Sequence, residues 1–302
     1  MDEERRSWRR GLWRLVKALG WLVALVLIVQ QAWWAPFRAE VARTRVIDRF
    51  QQDRKSRVIA MIHRQDTQSL FGVPVSQSIT IEDSEAILRA IRLTPPEQPL
   101  DLILHTPGGL VLAAEQIAKA LVERKGKVTV FVPHYAMSGG TLIALTADEV
   151  VMDPNAVLGP VDPQIGGLPA ASILKVLELK RPAQISDEML VLADMAAKAR
   201  LQVAAFVAEI LLKHHPKDRA AALAIVLTEG RWTHDFPITI EAARQLGIPV
   251  SVNVPPIIYE LMDLYPQGSA GRPSVLYVPT RRDRGSPRES TGSPPARAPE
   301  QK

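Results

Sequence analysis

The stretch Phe131-Val-Pro-His-Tyr-Ala-Met-Ser-Gly-Gly140 decides how this chain is read. An apolar run, Lys127-Val-Thr-Val-Phe-Val132, leads into it with the length and composition of a buried strand. Thr141-Leu-Ile-Ala-Leu-Thr146 follows it with the composition of a buried helix. Ser138 therefore falls at a strand-to-helix turn beside Gly139 and Gly140, whose missing side chains let another backbone come close. A serine at the start of a helix suits nucleophilic attack, because the free N–H groups there can receive an oxyanion. Read alone, the same residues are equally an ordinary Gly-rich turn.

A second stretch repeats the pattern. Asp101-Leu-Ile-Leu-His-Thr-Pro-Gly-Gly109 is an apolar strand ending in a glycine pair, and residues 110–124 continue at helical spacing. Two strand–turn–helix units in tandem place both turns at the carboxyl edge of a parallel sheet. One turn then carries the nucleophile and the other a backbone donor, which nominates the N–H groups of Gly109 and Gly139 as the oxyanion hole. Strands are expected at 57–63, 100–105, 127–132 and 149–152. Helices are expected at 81–91, 110–124, 170–180, 187–214 and 217–226, with shorter ones at 238–246 and 255–265.

Four motifs together carry a family resemblance: His105-Thr-Pro-Gly-Gly109, Val132-Pro-His-Tyr-Ala-Met-Ser-Gly-Gly-Thr141, Leu158-Gly-Pro-Val-Asp-Pro-Gln164 and Gly230-Arg-Trp-Thr-His-Asp235. They resemble the serine dehydrogenase proteinase family, peptidases of the Clp-protease/crotonase superfold related to signal peptide peptidase A. The resemblance covers roughly residues 57–265. It implies an α/β fold with a Clp-protease/crotonase-like parallel sheet and covering helices. It also implies a Ser138 nucleophile acting on a peptide or protein substrate, a homo-oligomer, and no metal or organic cofactor.

Ser138 needs a base, since a hydroxyl at its free pKa is a weak nucleophile. In Clp-protease relatives a histidine follows the serine by some two dozen residues, but Asp162 stands at the corresponding place. Signal peptide peptidases use a lysine instead, which makes Ser138 and Lys198 the expected dyad. Lys198 shares a helical face with Leu192, Met195, Ala199 and Gln202, apolar company of the kind a neutral amine requires. Lys180 is the alternative lysine, and His234, next to Asp235, is the alternative base. Each lysine also reads as an ordinary surface residue, and His234 as a turn-packing residue. His134, Tyr135 and Asp162 are expected to line the substrate site.

Composition bounds the rest. The 302 residues are 47% hydrophobic and 23% charged, enough for one large domain. The absence of cysteine excludes disulfides and thiolate chemistry. The net charge of +5 is concentrated at the ends. Residues 1–17 carry +3 and 267–302 carry +4, which leaves −2 between them and no basic face for nucleic acid. Metalloprotease His-Glu-x-x-His and phosphate-binding Gly-x-x-x-x-Gly-Lys patterns are missing.

The expected organisation is a basic segment 1–17, a transmembrane helix 18–37, a juxtamembrane linker 38–56, the peptidase domain 57–265 and a disordered basic tail 266–302. Residues 18–37 are uncharged and as long as a bilayer requires, and tryptophans 13, 21, 33 and 34 suit its interfaces. The basic cluster before them places the N-terminus in the cytoplasm and the domain on the exterior side. Two other classes compete with the membrane peptidase: a non-catalytic membrane scaffold, and acyl-thioester chemistry on a crotonase-like fold.

Overall fold

A computed structural model describes residues 2–63, 68–70, 73–75 and 78–265. The tail expected to be disordered lies outside the described residues. Five strands form the central sheet: β1 (Arg57–Ile62), β2 (Leu100–His105), β3 (Val128–Val132), β4 (Glu149–Met152) and β5 (Val250–Val252). They lie side by side in chain order, and every neighbouring pair is parallel. A parallel neighbour cannot be reached by a tight turn, so each step crosses over through helix. β2 and β3 are buried along their whole length, which is why they read as unbroken apolar runs and not as alternating ones.

Alternate strand residues feed two different layers. Ile59, Met61, Leu102, Leu104, Val130, Val132 and Val150 enter one core. Helices α2 (Ile81–Arg92) and α3 (Val111–Val122) cover this face directly, through Ile87, Ile117 and Leu121. The short α4 (Gly139–Ala144) lies entirely inside the same core. Val58, Ile62, Ile103, Phe131 and Val151 point the other way and meet Val46, Phe50, Ile258 and Leu261. Those four belong to the end of α1 (Asp2–Arg54) and to α9 (Pro256–Asp263). Between α4 and α9 the chain supplies α5 (Ala170–Leu179), α6 (Asp187–Leu211), α7 (Lys217–Thr228) and α8 (Ile240–Gln245).

Two sequence expectations change here. Residues 38–54, read from sequence as a juxtamembrane helix and linker, are the last part of α1 and bury Val46 and Phe50 against the sheet. Its few apolar positions sit at i and i+4, enough to dock one helical stripe. β5 has no counterpart in the sequence reading, because three half-buried residues at a sheet edge leave no apolar run to recognise. As for the expected membrane span, among the described residues no helix is long and apolar enough to cross a membrane. The apolar run from Ala18 stops at Gln30 and Gln31, and the fold lends the span no support.

One ion pair ties α1 to the sheet. Asp101, 1% exposed, accepts hydrogen bonds from Arg54 Nε at 2.8 Å, Arg54 Nη2 at 3.1 Å and Ser56 Oγ at 2.6 Å. The guanidinium also lies 5.2 Å from the Phe131 ring centroid. Replacing Arg54 with Met keeps the packing stem but strands a buried carboxylate. The expected loss is about 1–3 kcal/mol, below the range for fully buried pairs because Arg54 is partly solvated. Thermal melting should register a fall of several degrees, and Arg54→Lys should recover part of it.

Candidate active site

Two turns meet at the carboxyl edge of the sheet. Thr106, just past β2, bridges in parallel to Ala136, just past β3. Its N–H donates to the Tyr135 carbonyl at 3.2 Å, and its carbonyl accepts from the Met137 N–H at 3.0 Å. This brings the Pro-Gly-Gly turn against Ser138. A side chain at Gly108 would put its Cβ 2.8 Å from Ser138 Cβ, and Gly108 holds φ +103°, a conformation costly for any other residue.

Gly109 is glycine for a different reason. A Cβ there would lie 2.3 Å from both the backbone N and O of the fully buried Ile79. Ile79 runs alongside this turn: its N–H donates to the Gly108 carbonyl, and its carbonyl accepts from the Leu110 N–H. Among the described residues, that ladder takes no hydrogen bond from the Gly109 N–H. Gly139 is the first residue of α4, where an N–H has no acceptor within its own helix. A Cβ at Gly139 would sit 3.7 Å from the Gly109 nitrogen, so the two N–H groups share one small space.

Ser138 itself has φ +50° and ψ −116°. A non-glycine residue in this region costs on the order of 1–3 kcal/mol and persists only where its surroundings impose it. Here the Met137 carbonyl takes the Gly140 N–H at 2.7 Å and the Ser138 carbonyl takes the Leu142 N–H at 3.0 Å, closing the turn into α4. Thr141 Oγ1 donates to the Ala136 carbonyl at 2.7 Å and accepts the Gly159 N–H at 2.9 Å. A sharp turn that presents a half-exposed serine on the first residue before a helix is the local geometry of a nucleophile elbow. The sequence placed Ser138 at the turn but carried no sign of this strain.

The loop from Gly159 starts against Met137, since a Cβ at Gly159 would lie 2.5 Å from Met137 Cε. It carries Asp162, 3% exposed, whose Oδ1 lies 2.8 Å from His234 Nδ1. Gln164 Nε2 donates to Asp162 Oδ2 at 2.6 Å. Trp232 and Phe236 stack with centroids 5.1 Å apart on either side of His234 in sequence. His234 was expected to lean on its neighbour Asp235; its hydrogen-bonded carboxylate is Asp162 instead, 72 residues earlier. The available signal was that both partners lie inside motifs that had been singled out.

The lysines stand differently. Lys198 projects from α6 into solvent, with its side chain 66% exposed and its Nζ 2.5 Å from Asp194 Oδ2. The apolar surroundings expected for a neutral amine are absent, because Met195 on the same face is itself half exposed. Lys180 closes α5 and is exposed. His134 is exposed and Tyr135 half-buried next to the serine turn, their rings 5.3 Å apart and both close to His105. Among the described residues no cluster of three or more metal-binding side chains occurs.

A serine on a strained turn at the carboxyl edge of a parallel sheet, facing a glycine turn, is an arrangement that nucleophilic hydrolases of the α/β class use. Residues 11–291 match the ClpP-like SDH-type serine proteinases, and the chain belongs to that family. It has the family's α/β ClpP-like fold with a parallel sheet. It is 55% identical over 237 residues to an uncharacterized protein of Methanocaldococcus jannaschii, covering 78% of this chain and 81% of that one. It is 36% identical over 96 residues to a probable protease, SohB, of Haemophilus influenzae, covering 30% of this chain and 27% of that one. Among solved structures, ClpP1 from Listeria monocytogenes aligns with a TM-score of 0.42 at 16% identity, over 68% of this chain and 96% of that one.

The glycine contacts make a direct prediction. Gly109→Ala should push Ile79 away from the turn, because its Cβ meets rigid backbone and not a flexible side-chain end. The melting temperature should fall by several degrees, and Ile79 and Leu110 amides should exchange faster with solvent. Unchanged exchange would show that the turn is looser than drawn.

Proposed function

We propose that the chain is a membrane-anchored serine peptidase that cleaves peptide bonds with Ser138 as nucleophile and the Gly109 and Gly139 N–H groups as oxyanion donors. The observation that carries the reading is the positive-φ Ser138 held directly against the Gly108–Gly109 turn. Family membership supports peptidase chemistry. For the base, the reading turns from the Ser-Lys dyad to His234. With Nδ1 donating to Asp162, Nε2 becomes the basic nitrogen, as acyl-transfer triads require. Ser138 Oγ then attacks the scissile carbonyl as His234 Nε2 takes its proton. The same proton goes to the leaving amine, and His234 next activates the water that releases the acyl group.

The anchor at 18–37, the cytoplasmic N-terminus and the exterior domain are proposed on sequence alone, from the uncharged run and the basic cluster before it. Self-association is proposed as well, supported by exposed Leu110, Val111 and Leu112 beside the turn and by Leu190, Val191, Met195 and Leu201 on α6.

A fluorophosphonate probe should label the protein, and Ser138→Ala should abolish labelling. His234→Gln should lower turnover by about 100-fold or more, with Lys198→Met and Lys180→Met close to the parent. A dead Lys198→Met with an active His234→Gln would return the base to the lysine. No labelling of the parent at any pH would leave a non-catalytic scaffold as the reading.

Carbonate washing of membranes tests the anchor independently. Full-length protein should stay in the pellet, and its release into the supernatant would remove the anchor from the proposal.

A further inference from the structure

His63, at the end of β1, is 8% exposed and takes no part in the chemistry described above. Both of its ring nitrogens are engaged. Nε2 lies 3.3 Å from Asp83 Oδ2 on the first turn of α2, and Nδ1 lies 2.8 Å from Thr106 Oγ1. Thr106 Oγ1 in turn accepts the Gly108 N–H at 3.2 Å. One arrangement of protons satisfies every step with a neutral ring. Nε2–H donates to the carboxylate, Nδ1 accepts from the threonine hydroxyl, and the hydroxyl oxygen accepts from Gly108. This arrangement needs a neutral His63. Burial supports this by pushing its pKa below the ordinary histidine value, against the opposing pull of Asp83.

The same carboxylate reaches the turn by a second route. Asp83 Oδ2 accepts from the Thr80 N–H at 2.8 Å and from Thr80 Oγ1 at 3.0 Å, fixing the residue after Ile79. Ile79 forms the ladder on the other side of Gly108 and Gly109. The glycine turn is thus gripped on one side through Thr80 and Ile79, and on the other through His63 and Thr106. Both grips end on Asp83.

We propose that Asp83, His63 and Thr106 form a relay that sets the position of the Gly108–Gly109 turn, which makes His63 and Thr106 positioning residues for oxyanion stabilisation. The proposal rests on the peptidase reading for its consequence, but the relay itself is independent of it. Protonating His63 would put a donor on Nδ1, and the Thr106 hydroxyl could no longer donate there. Its other acceptor is the Gly108 carbonyl at 3.5 Å, which already receives the Ile79 N–H. Among the described residues, the groups facing the ring across its cleft of about 270 Å³ are Asp83 from α2 and Tyr265 beyond α9. Arg43 of α1 lies over the Tyr265 ring at 4.1 Å. Because burial depresses the folded pKa, the neutral relay persists in the folded chain below the ordinary histidine value and is lost only as pH falls through the lowered folded value.

The test uses the purified full chain with two readouts, the rate of fluorophosphonate labelling and hydrogen exchange at the Gly108 amide. Thr106→Val and His63→Leu should each slow labelling by about 10-fold or more and speed Gly108 exchange comparably. Thr106→Ser and His63→Gln keep the acceptor on the relay and should recover to within about threefold on both readouts. The parent should lose labelling rate as pH falls below the ordinary histidine range, with a component that His63→Gln lacks. Equal Gly108 exchange in parent, Thr106→Val and His63→Leu would overturn the proposal, as would failure of both conservative variants to recover. If the parent itself takes no probe, the peptidase reading fails, while the exchange data still decide the relay.

Discussion

The structure depends on the backbone bridge between Thr106 and Ala136. Two hydrogen bonds, from Thr106 to Tyr135 and from Met137 to Thr106, continue the β2–β3 pairing past the end of the sheet. They force the two glycine turns into contact where the strands would otherwise diverge into their helices. Gly108, Gly109 and Gly140 are glycines because of that contact. A Cβ on each would meet Ser138, Ile79 or Thr106 within 2.8 Å. A turn of this kind is rigid because its neighbours leave it no alternative, and strain at Ser138 persists only in such surroundings.

Behind the bridge, the sheet supplies stiffness in two layers. The core under α2, α3 and α4 is built from small and branched side chains, and it encloses the whole of α4. The opposite face is closed by the end of α1 and by α9, with Arg43 donating to the Leu264 carbonyl at 2.9 and 3.0 Å and Arg49 pairing with Glu260. The exposed Arg49–Glu260 pair contributes little, about 0–1 kcal/mol, whereas the half-buried Arg54–Asp101 pair fixes where α1 ends. Whatever α1 attaches to is therefore coupled mechanically to the sheet that carries the serine.

The charged groups near the site divide by burial. Asp162 and Asp83 are each held by hydrogen-bond donors and hold a histidine in turn, His234 and His63 respectively. The lysines on α5 and α6 are solvated and balanced by local carboxylates such as Glu178 and Asp194.

The sequence by itself determined the architecture. Apolar runs at 100–105 and 127–132, each ended by glycine and followed by helical spacing, dictate parallel strands with both turns at one edge, because side-chain periodicity and turn chemistry are local properties. The placement of Ser138 and of Gly109 and Gly139 on two facing turns was legible for the same reason. The surroundings of Lys198 and His234 were not. Helical periodicity put Lys198 beside Leu192 and Met195, but a one-dimensional pattern cannot say whether that stripe meets the core or water, and here it meets water. The pairing of His234 with Asp162, of His63 with Thr106, and of both glycine supports with Asp83 joins residues up to 72 positions apart. Such hydrogen bonds need atoms within about 3 Å, a distance that only the folded chain sets.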